Sequence, residues 1–296
     1  MNRRSFLGSA ILFPLAIMAM TNKEIFDMLS DTENNITMPA LFVGHGNPMN
    51  AIEENEFVTG FRNIAASIPK PRAVLCISAH WETKGSFLTA MATPKTIHDF
   101  GGFPQALFDV QYPAKGSPVL ADETKSLVKK TEIGLDNQWG LDHGCWSVLK
   151  HFYPQADIPV VQLSLDYSQP PQYHYELAQE LCQLRKKGVL IIGSGNLVHN
   201  LGKIDWANMN KIGFAYDWAT IANEKMKNLM LENDHKQLIN YRSLGKEIEL
   251  AIPTPEHYLP LLYILALKQE NEQLSFFNDK AVGGSLTMTS VKIESF

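Results

Sequence analysis

Ala40-Leu41-Phe42-Val43-Gly44-His45-Gly46-Asn47-Pro48 is the stretch on which the architecture turns. Four apolar residues in a row, closed by a Gly-His-Gly step, read as a buried-type strand with a histidine just past its carboxyl end. The pattern recurs in Ala73-Val74-Leu75-Cys76-Ile77-Ser78, which runs into Ala79-His80-Trp81. It recurs again in Ile158-Pro159-Val160-Val161-Gln162-Leu163 and in Val189-Leu190-Ile191-Ile192. Between these runs the period changes to that of a helix. Phe57, Phe61, Ile64 and Ile68 mark one, with Asn50 and Glu53 spaced as a capping box, and Leu177, Leu181 and Leu184 mark another. Ser285 to Ile293 alternates in Thr, Ser and Val and is expected to be a late strand. Strand and helix in alternation predict an α/β protein: one three-layer α/β/α domain around a largely parallel or mixed sheet.

Bulk properties narrow the class. The 296 residues suit one large domain, and an apolar fraction of 45% is enough to build a full core. Lys+Arg 26 against Asp+Glu 31 leaves a net charge of −5 with no basic block, which disfavours nucleic acid as a partner. The 3 cysteines, Cys76, Cys145 and Cys182, form no CxxC pair, so neither a disulfide framework nor a thiolate zinc site is indicated. Cys76 lies inside an apolar run and reads as packing.

The amino terminus reads as a separate segment, residues 1–37, ahead of a catalytic domain over 38–296. Arg3-Arg4-Ser5-Phe6-Leu7 opens an uncharged apolar stretch to Met20, the layout of a twin-arginine export signal. At about 14 residues that stretch is short for a membrane span. The expectation is a periplasmic protein with no stable membrane anchor after processing; a cytoplasmic protein with a frayed extension is the alternative.

Nine histidines are present, and their placement is informative. His45, His80 and His199 each follow a strand, the edge at which open α/β sheets bind ligands. His143, in Leu141-Asp142-His143-Gly144, steps into a helix carrying Trp146 and Leu149. His257, in Pro253-Thr254-Pro255-Glu256-His257-Tyr258, starts another helix, continued by Leu261, Ile264 and Leu265. Neutral imidazole is the commonest transition-metal ligand, so such a cluster points to a metal-dependent enzyme. His98 sits in a glycine-rich loop, Thr96 to Pro104, which is either a cover for a flat apolar substrate or a plain turn. His151, His174 and His235 stand in helical or polar surface contexts and read as structural.

These motifs together resemble the DOPA-type extradiol dioxygenases, a LigB-like branch of the class III extradiol ring-cleavage enzymes. The matching stretches are Gly44 to Met49, Ser78 to Trp81, His98 to Pro104, Asp142 to Gly144, Gly195 to Asn200 and Thr254 to Tyr258, spread from Met38 onward in the family's order. Asn47 stands where many relatives carry Ser, and the amino-terminal segment has no counterpart. By this resemblance His45, His80 and His257 hold one divalent metal, with His199 as acid–base or fourth ligand and His143 lining the substrate pocket. His98, Trp81 and Phe103 would contact the substrate, a small aromatic diol opened with O2.

Many non-haem Fe(II) oxygenases use two histidines and one carboxylate. An all-histidine set also suits zinc, so Fe(II) and Zn(II) both stay open. Two rivals stand beside this reading: a zinc-dependent hydrolase on the same histidines and, because the general fold also resembles the Memo-type proteins, a Memo-like binding protein without catalysis.

Overall fold

The computed structural model describes residues 37–209 and 211–295. The twin-arginine stretch lies outside the described residues. Eight strands make one sheet: β1 Ala40–Gly44, β2 Ala73–Thr83, β3 Ser86–Thr89, β4 Ile133–Asp136, β5 Val160–Asp166, β6 Val189–Gly195, β7 Glu272–Phe277 and β8 Ser290–Ser295. Their order across the sheet is β4-β3-β5-β2-β6-β1-β8-β7. The inner four, β5, β2, β6 and β1, run parallel. At one side β8 is antiparallel to β1 and β7 to β8; at the other, β3 is antiparallel to β5 and parallel to β4. The sheet is therefore mixed, with a parallel centre, and the late strand expected near Ser285–Ile293 is β8.

The apolar runs work because both faces of the sheet are covered. Phe42, Leu75, Ile77 and Ile191 face one layer, formed by α2 Pro118–Leu127, α4 Pro171–Glu180, α5 Asp217–Leu231, α6 Lys246–Ala251 and α7 Leu259–Ala266. Leu41, Val43, Val74, Cys76 and Ile192 face the other, formed by α1 Glu56–Ser67 and α3 His143–Phe152. Helix α7, Leu-Pro-Leu-Leu-Tyr-Ile-Leu-Ala, has no polar face and is buried along its whole length.

Three local expectations need correction. The cap of α1 is Asn55, whose side chain accepts the Val58 N–H; Asn50 is buried and Glu53 caps nothing. The Leu177–Leu184 helix is two helices broken at Leu181. His151 and His174 are buried rather than superficial. The His151 Nε2–H donates to the Asn50 carbonyl at 2.7 Å, and His174 Nδ1 pairs with the Tyr263 hydroxyl at 3.1 Å, so each has a partner away from the histidine cluster.

One irregularity positions the chemistry. Strand β2 continues to Thr83, so His80 lies within it rather than beyond its end. Pairing with β6 stops at Ser78, and five steps along β2, Ile77 to Glu82, match only two along β5, Leu163 to Leu165. A bulge of this kind bends the strand and re-aims its side chains, and this one carries His80.

Candidate metal centre

His45, His80 and His257 converge, each offering one ring nitrogen within 4.8 Å of the others. The His45 N–H donates to the Gly195 carbonyl at 3.1 Å, tying the ends of β1 and β6 together. Asn50 Nδ2 donates to the His45 carbonyl at 3.0 Å. Behind the ring, His45 Nδ1 is 3.0 Å from Ser194 Oγ, and that hydroxyl donates its only proton to the Gly144 carbonyl at 2.6 Å. Ser194 must therefore accept from His45 Nδ1–H, which leaves the Nε2 lone pair facing the cluster.

The other two rings are held from behind in the same sense. His80 Nδ1 lies 3.5 Å from Asp99 Oδ2, and His257 Nδ1 lies 3.4 Å from Glu256 Oε1. A carboxylate only accepts, so the Glu256 hydrogen bond keeps the His257 proton on Nδ1, and Asp99 stands on the Nδ1 side of His80. His80 Nε2 and His45 Nε2 are 3.1 Å apart. At that separation the two nitrogens share a proton, His80 Nε2–H donating to His45, in the absence of a cation, or both turn lone pairs to a cation between the rings.

Close backbone approach makes this convergence possible. A Cβ at Gly195 would lie 2.1 Å from the His257 carbonyl oxygen, and one at Gly144 would lie 2.5 Å from Ser78 Oγ and 2.9 Å from His80 Cδ2. The Asn196 N–H donates to that same His257 carbonyl at 3.0 Å.

Burial keeps the rings neutral. It is the largest cause holding His45 and His257 well below the ordinary imidazole range, with the charges of neighbouring histidines acting in the same direction. Burial, then the His143 charge, lowers His80 to about 3, partly opposed by Asp99. His199 falls to about 4 through burial, partly opposed by Glu256. Neutral imidazole is the ligand form, so three neutral rings with convergent lone pairs fit a divalent transition metal.

Two more histidines line the centre. The His143 ring lies 3.9 Å from that of His80 and 5.6 Å from that of His45, centroid to centroid. Asp99 grips it twice, Oδ1 accepting the backbone N–H at 2.8 Å and Oδ2 accepting Nδ1–H at 2.9 Å. His199 lies flat on His257, with centroids 3.5 Å apart and planes 8° apart. It groups with Glu256 and His257 rather than with His45 and His80.

Buried Asp142 supports this rim. It caps α3 by accepting the Cys145 N–H, and it also accepts from Ser78 Oγ at 2.6 Å and Gln162 Nε2 at 2.6 Å. One carboxylate thereby links the bulge of β2, strand β5 and the helix that starts at His143.

The remaining sequence-derived candidates stand farther out. Phe100, not Phe103, packs edge-on against His143, at 5.5 Å and 81°; Phe103 packs behind Phe100 at 5.4 Å. The His98 Nε2–H donates to the Val110 carbonyl at 2.9 Å, and its ring lies beside Phe100, Phe108 and Trp146. Trp81 is buried and stacks on Trp139 at 5.7 Å. Trp146 is fully buried and donates to the Ile97 carbonyl. A cleft of about 230 Å³, lined by Asn47, Asn50, Glu53 and Met288 among others, borders the His45 loop.

Asp99, Phe100, Asp142 and Ser194 escaped sequence reasoning as site residues. Asp142 before His143 carried an N-cap signal at the start of a helix. Nothing local marks Ser194 or Asp99, because their partners lie 149 and 44 residues away.

Residues 38–282 match the family model for the catalytic LigB subunit of aromatic ring-opening dioxygenase. The chain belongs to that family. Among curated relatives of this ring-opening dioxygenase, the 4,5-DOPA dioxygenase extradiol of Escherichia coli K12 is 46% identical over 260 residues, covering 86% of this chain and 94% of the relative. The protein of the same name from Beta vulgaris is 34% identical over 271 residues, covering 89% and 99%. A crystal structure of an uncharacterized Escherichia coli K12 protein superposes with a TM-score of 0.75 at 40% identity, covering 86% of this chain and 99% of that one. The chain is thus an extradiol ring-cleaving dioxygenase, an oxidoreductase with a histidine-rich metal site acting on an aromatic substrate. No helix among the described residues is long and apolar enough to cross a membrane.

Proposed function

We propose that this dioxygenase opens the ring of a DOPA-like catechol next to its two hydroxyls, with Fe(II) as the working metal and Zn(II) as a resting occupant. The activity for which the relatives are named supports the substrate class. The observation that carries the reading is the convergence of three neutral imidazoles, His45, His80 and His257, with Nε2 atoms of two of them 3.1 Å apart. When bound there, the metal supplies Lewis acidity that lowers the pKa of a catechol hydroxyl, and in the ferrous form a site for O2.

The chain's own residues handle protons and orientation. His199, neutral at pH 7 because burial holds it at about 4, accepts the proton of the second hydroxyl and returns one as the ring opens. Its grouping with Glu256 and His257, apart from the other two ligands, favours this role over that of a fourth ligand. His143 has Nδ1–H committed to Asp99, so its Nε2 offers a lone pair that accepts a hydrogen bond from a diol hydroxyl; only when protonated to the imidazolium, paired with Asp99, does it donate to negative charge developing there. Phe100, backed by Phe103 and His98, gives the aromatic ring an apolar wall, while Trp81 acts from outside by bracing the bulge against Trp139. Both oxygen atoms of O2 enter a muconate semialdehyde-type product. Turnover under isotopically labelled O2 tests this: two labelled atoms in the product support the reading, and an unlabelled product overturns it in favour of hydrolysis.

We also infer export to the periplasm from Arg3-Arg4-Ser5-Phe6-Leu7. Fractionation of cells expressing the chain, with and without the Arg3→Lys and Arg4→Lys pair, tests this. Retention of the double variant in the cytoplasm supports it, and an unchanged distribution overturns it.

A further inference from the structure

The loop that follows the short strand Lys95–Thr96 is fixed at its stem with unusual care. Lys95 and Thr96 pair in parallel with Gly140 and Leu141, the two residues before the Asp142 cap of α3. The Ile97 N–H donates to the Leu141 carbonyl at 2.7 Å, and the Ile97 carbonyl receives the Trp146 Nε1–H at 2.8 Å. His98 is tied to Val110. The next residue, Asp99, is therefore delivered directly opposite the first residue of α3, which is His143. Phe100 follows against the same ring, and Gly101-Gly102 then turns the chain away, with Gly102 at φ +78°.

What arrives at that point is one carboxylate serving two imidazoles from different elements. Asp99 Oδ1 takes the His143 backbone N–H, which orients the carboxylate relative to the helix. Oδ2 takes His143 Nδ1–H at 2.9 Å and stands 3.5 Å from His80 Nδ1. The side chain of Asp99 is only 16% exposed, so water does little to compete for these contacts. Asp99 lies on the Nδ1 side of His80, whereas His80 meets His45 through Nε2. The carboxylate is thus behind a metal-facing ring rather than among the ligands. A carboxylate in that position fixes the tautomer and orientation of a ligating histidine.

We propose that Asp99 is a positioning residue that orients His80 and His143 as a pair, so that the ligand ring on the β2 bulge and the ring at the start of α3 present Nε2 to one reacting space. The proposal rests on the metal-site reading of His80, and its test does not depend on turnover. In Asp99→Asn the amide oxygen still accepts the His143 N–H, while its NH2 group faces His143 Nδ1 and can only donate. His143 must then change tautomer, placing its proton on Nε2.

Three readouts on the full chain check this. Long-range proton–nitrogen NMR correlations of the metal-free protein report the tautomer: Nδ1–H for His143 in the parent, Nε2–H in Asp99→Asn. Competition with a chromophoric chelator reports Zn(II) affinity, which should weaken about 10- to 100-fold in the variant. Where turnover is measurable, kcat should fall more than KM rises. Asp99→Glu keeps the carboxylate and should restore the parent tautomer with most of the zinc affinity. It also carries the test if Asp99→Asn fails to fold. Parent tautomer and parent zinc affinity in folded Asp99→Asn would overturn the proposal, as would a folded Asp99→Glu variant no better than Asn. Failure of the dioxygenase reading would show differently: no turnover in the parent, with tautomer and zinc effects intact.

Discussion

His45 Nε2 faces His80 Nε2 across 3.1 Å, while the Nδ1 atoms of the two rings are turned away toward Ser194 and Asp99. His257 repeats the arrangement with Glu256 behind it. Each ring has a partner at its back, and with a cation bound the cluster presents lone pairs at its front. Placing several neutral imidazoles in a buried space with their acceptors converging is unfavourable by itself, and binding one cation removes that cost. The back-side partners are then as informative about the site as the ligands.

Of the partners behind the three ligand rings Ser194 stands closest, 3.0 Å from His45 Nδ1. Replacing it with Ala removes the acceptor of His45 Nδ1–H and the donor to the Gly144 carbonyl. Zinc affinity should drop about 10- to 100-fold. Stability should drop by about 1–3 kcal/mol, since two buried polar groups lose their partner. Chelator competition and denaturant titration measure the two effects separately; unchanged zinc affinity would remove Ser194 from the account.

His199→Ala separates chemistry from metal binding. The ring stacks on His257 but does not group with His45 and His80. The metal should stay bound while kcat falls about 10²- to 10⁴-fold, the usual contribution of a positioned acid–base group. Parent-like turnover would contradict the acid–base role. Loss of the metal would make His199 a ligand instead.

Gly144 leaves no room for a side chain between the two rims. In Gly144→Ala the new methyl would meet Ser78 Oγ at 2.5 Å and His80 Cδ2 at 2.9 Å. The His80 ring must move, so metal affinity should weaken, with an overpacking cost of about 1–3 kcal/mol. Metal binding equal to the parent's would show that the bulge of β2 is more compliant than its packing implies.

The metal-free protein should be acid-sensitive. His80 at about 3 and His199 at about 4 lie below the ordinary value of 6.5, and His45 and His257 are displaced in the same direction. Between those values the unfolded chain binds more protons than the folded one. Stability is therefore fully present above 6.5 and is lost as pH falls toward the folded values. Buried His174, at about 4, adds to the same trend away from the metal site. Denaturant midpoints should be lower at about pH 5 than at neutral pH, on either side of the unperturbed imidazole value. A midpoint that is equal or higher at the acid pH would contradict the neutral-ring assignment.

The sheet was readable because β1, β5, β6 and the first half of β2 are buried on both faces and so appear as largely apolar runs. The histidines were readable because three of them follow those runs. The bulge in β2 was not, since a register shift depends on what β5 and β6 offer opposite it. Asn50 illustrates a different failure: its spacing to Glu53 imitates a capping box, yet its amide is used to hold the His45 carbonyl, and Asn55 caps the helix. Phe100 and Phe103 sit in one glycine-rich loop, and only tertiary packing decides which of them reaches His143. Asp99 stood unremarked beside His98 for the same reason.

The most direct measurement is oxygen uptake by metal-defined protein. The chain is stripped of metal, loaded anaerobically with Fe(II), and mixed with DOPA and simple catechols in an oxygen electrode. We predict O2 consumption with a yellow ring-opened product, abolished in His45→Ala and His80→Ala. Stoichiometric Fe(II) binding with no O2 uptake on any catechol would contradict the proposed chemistry.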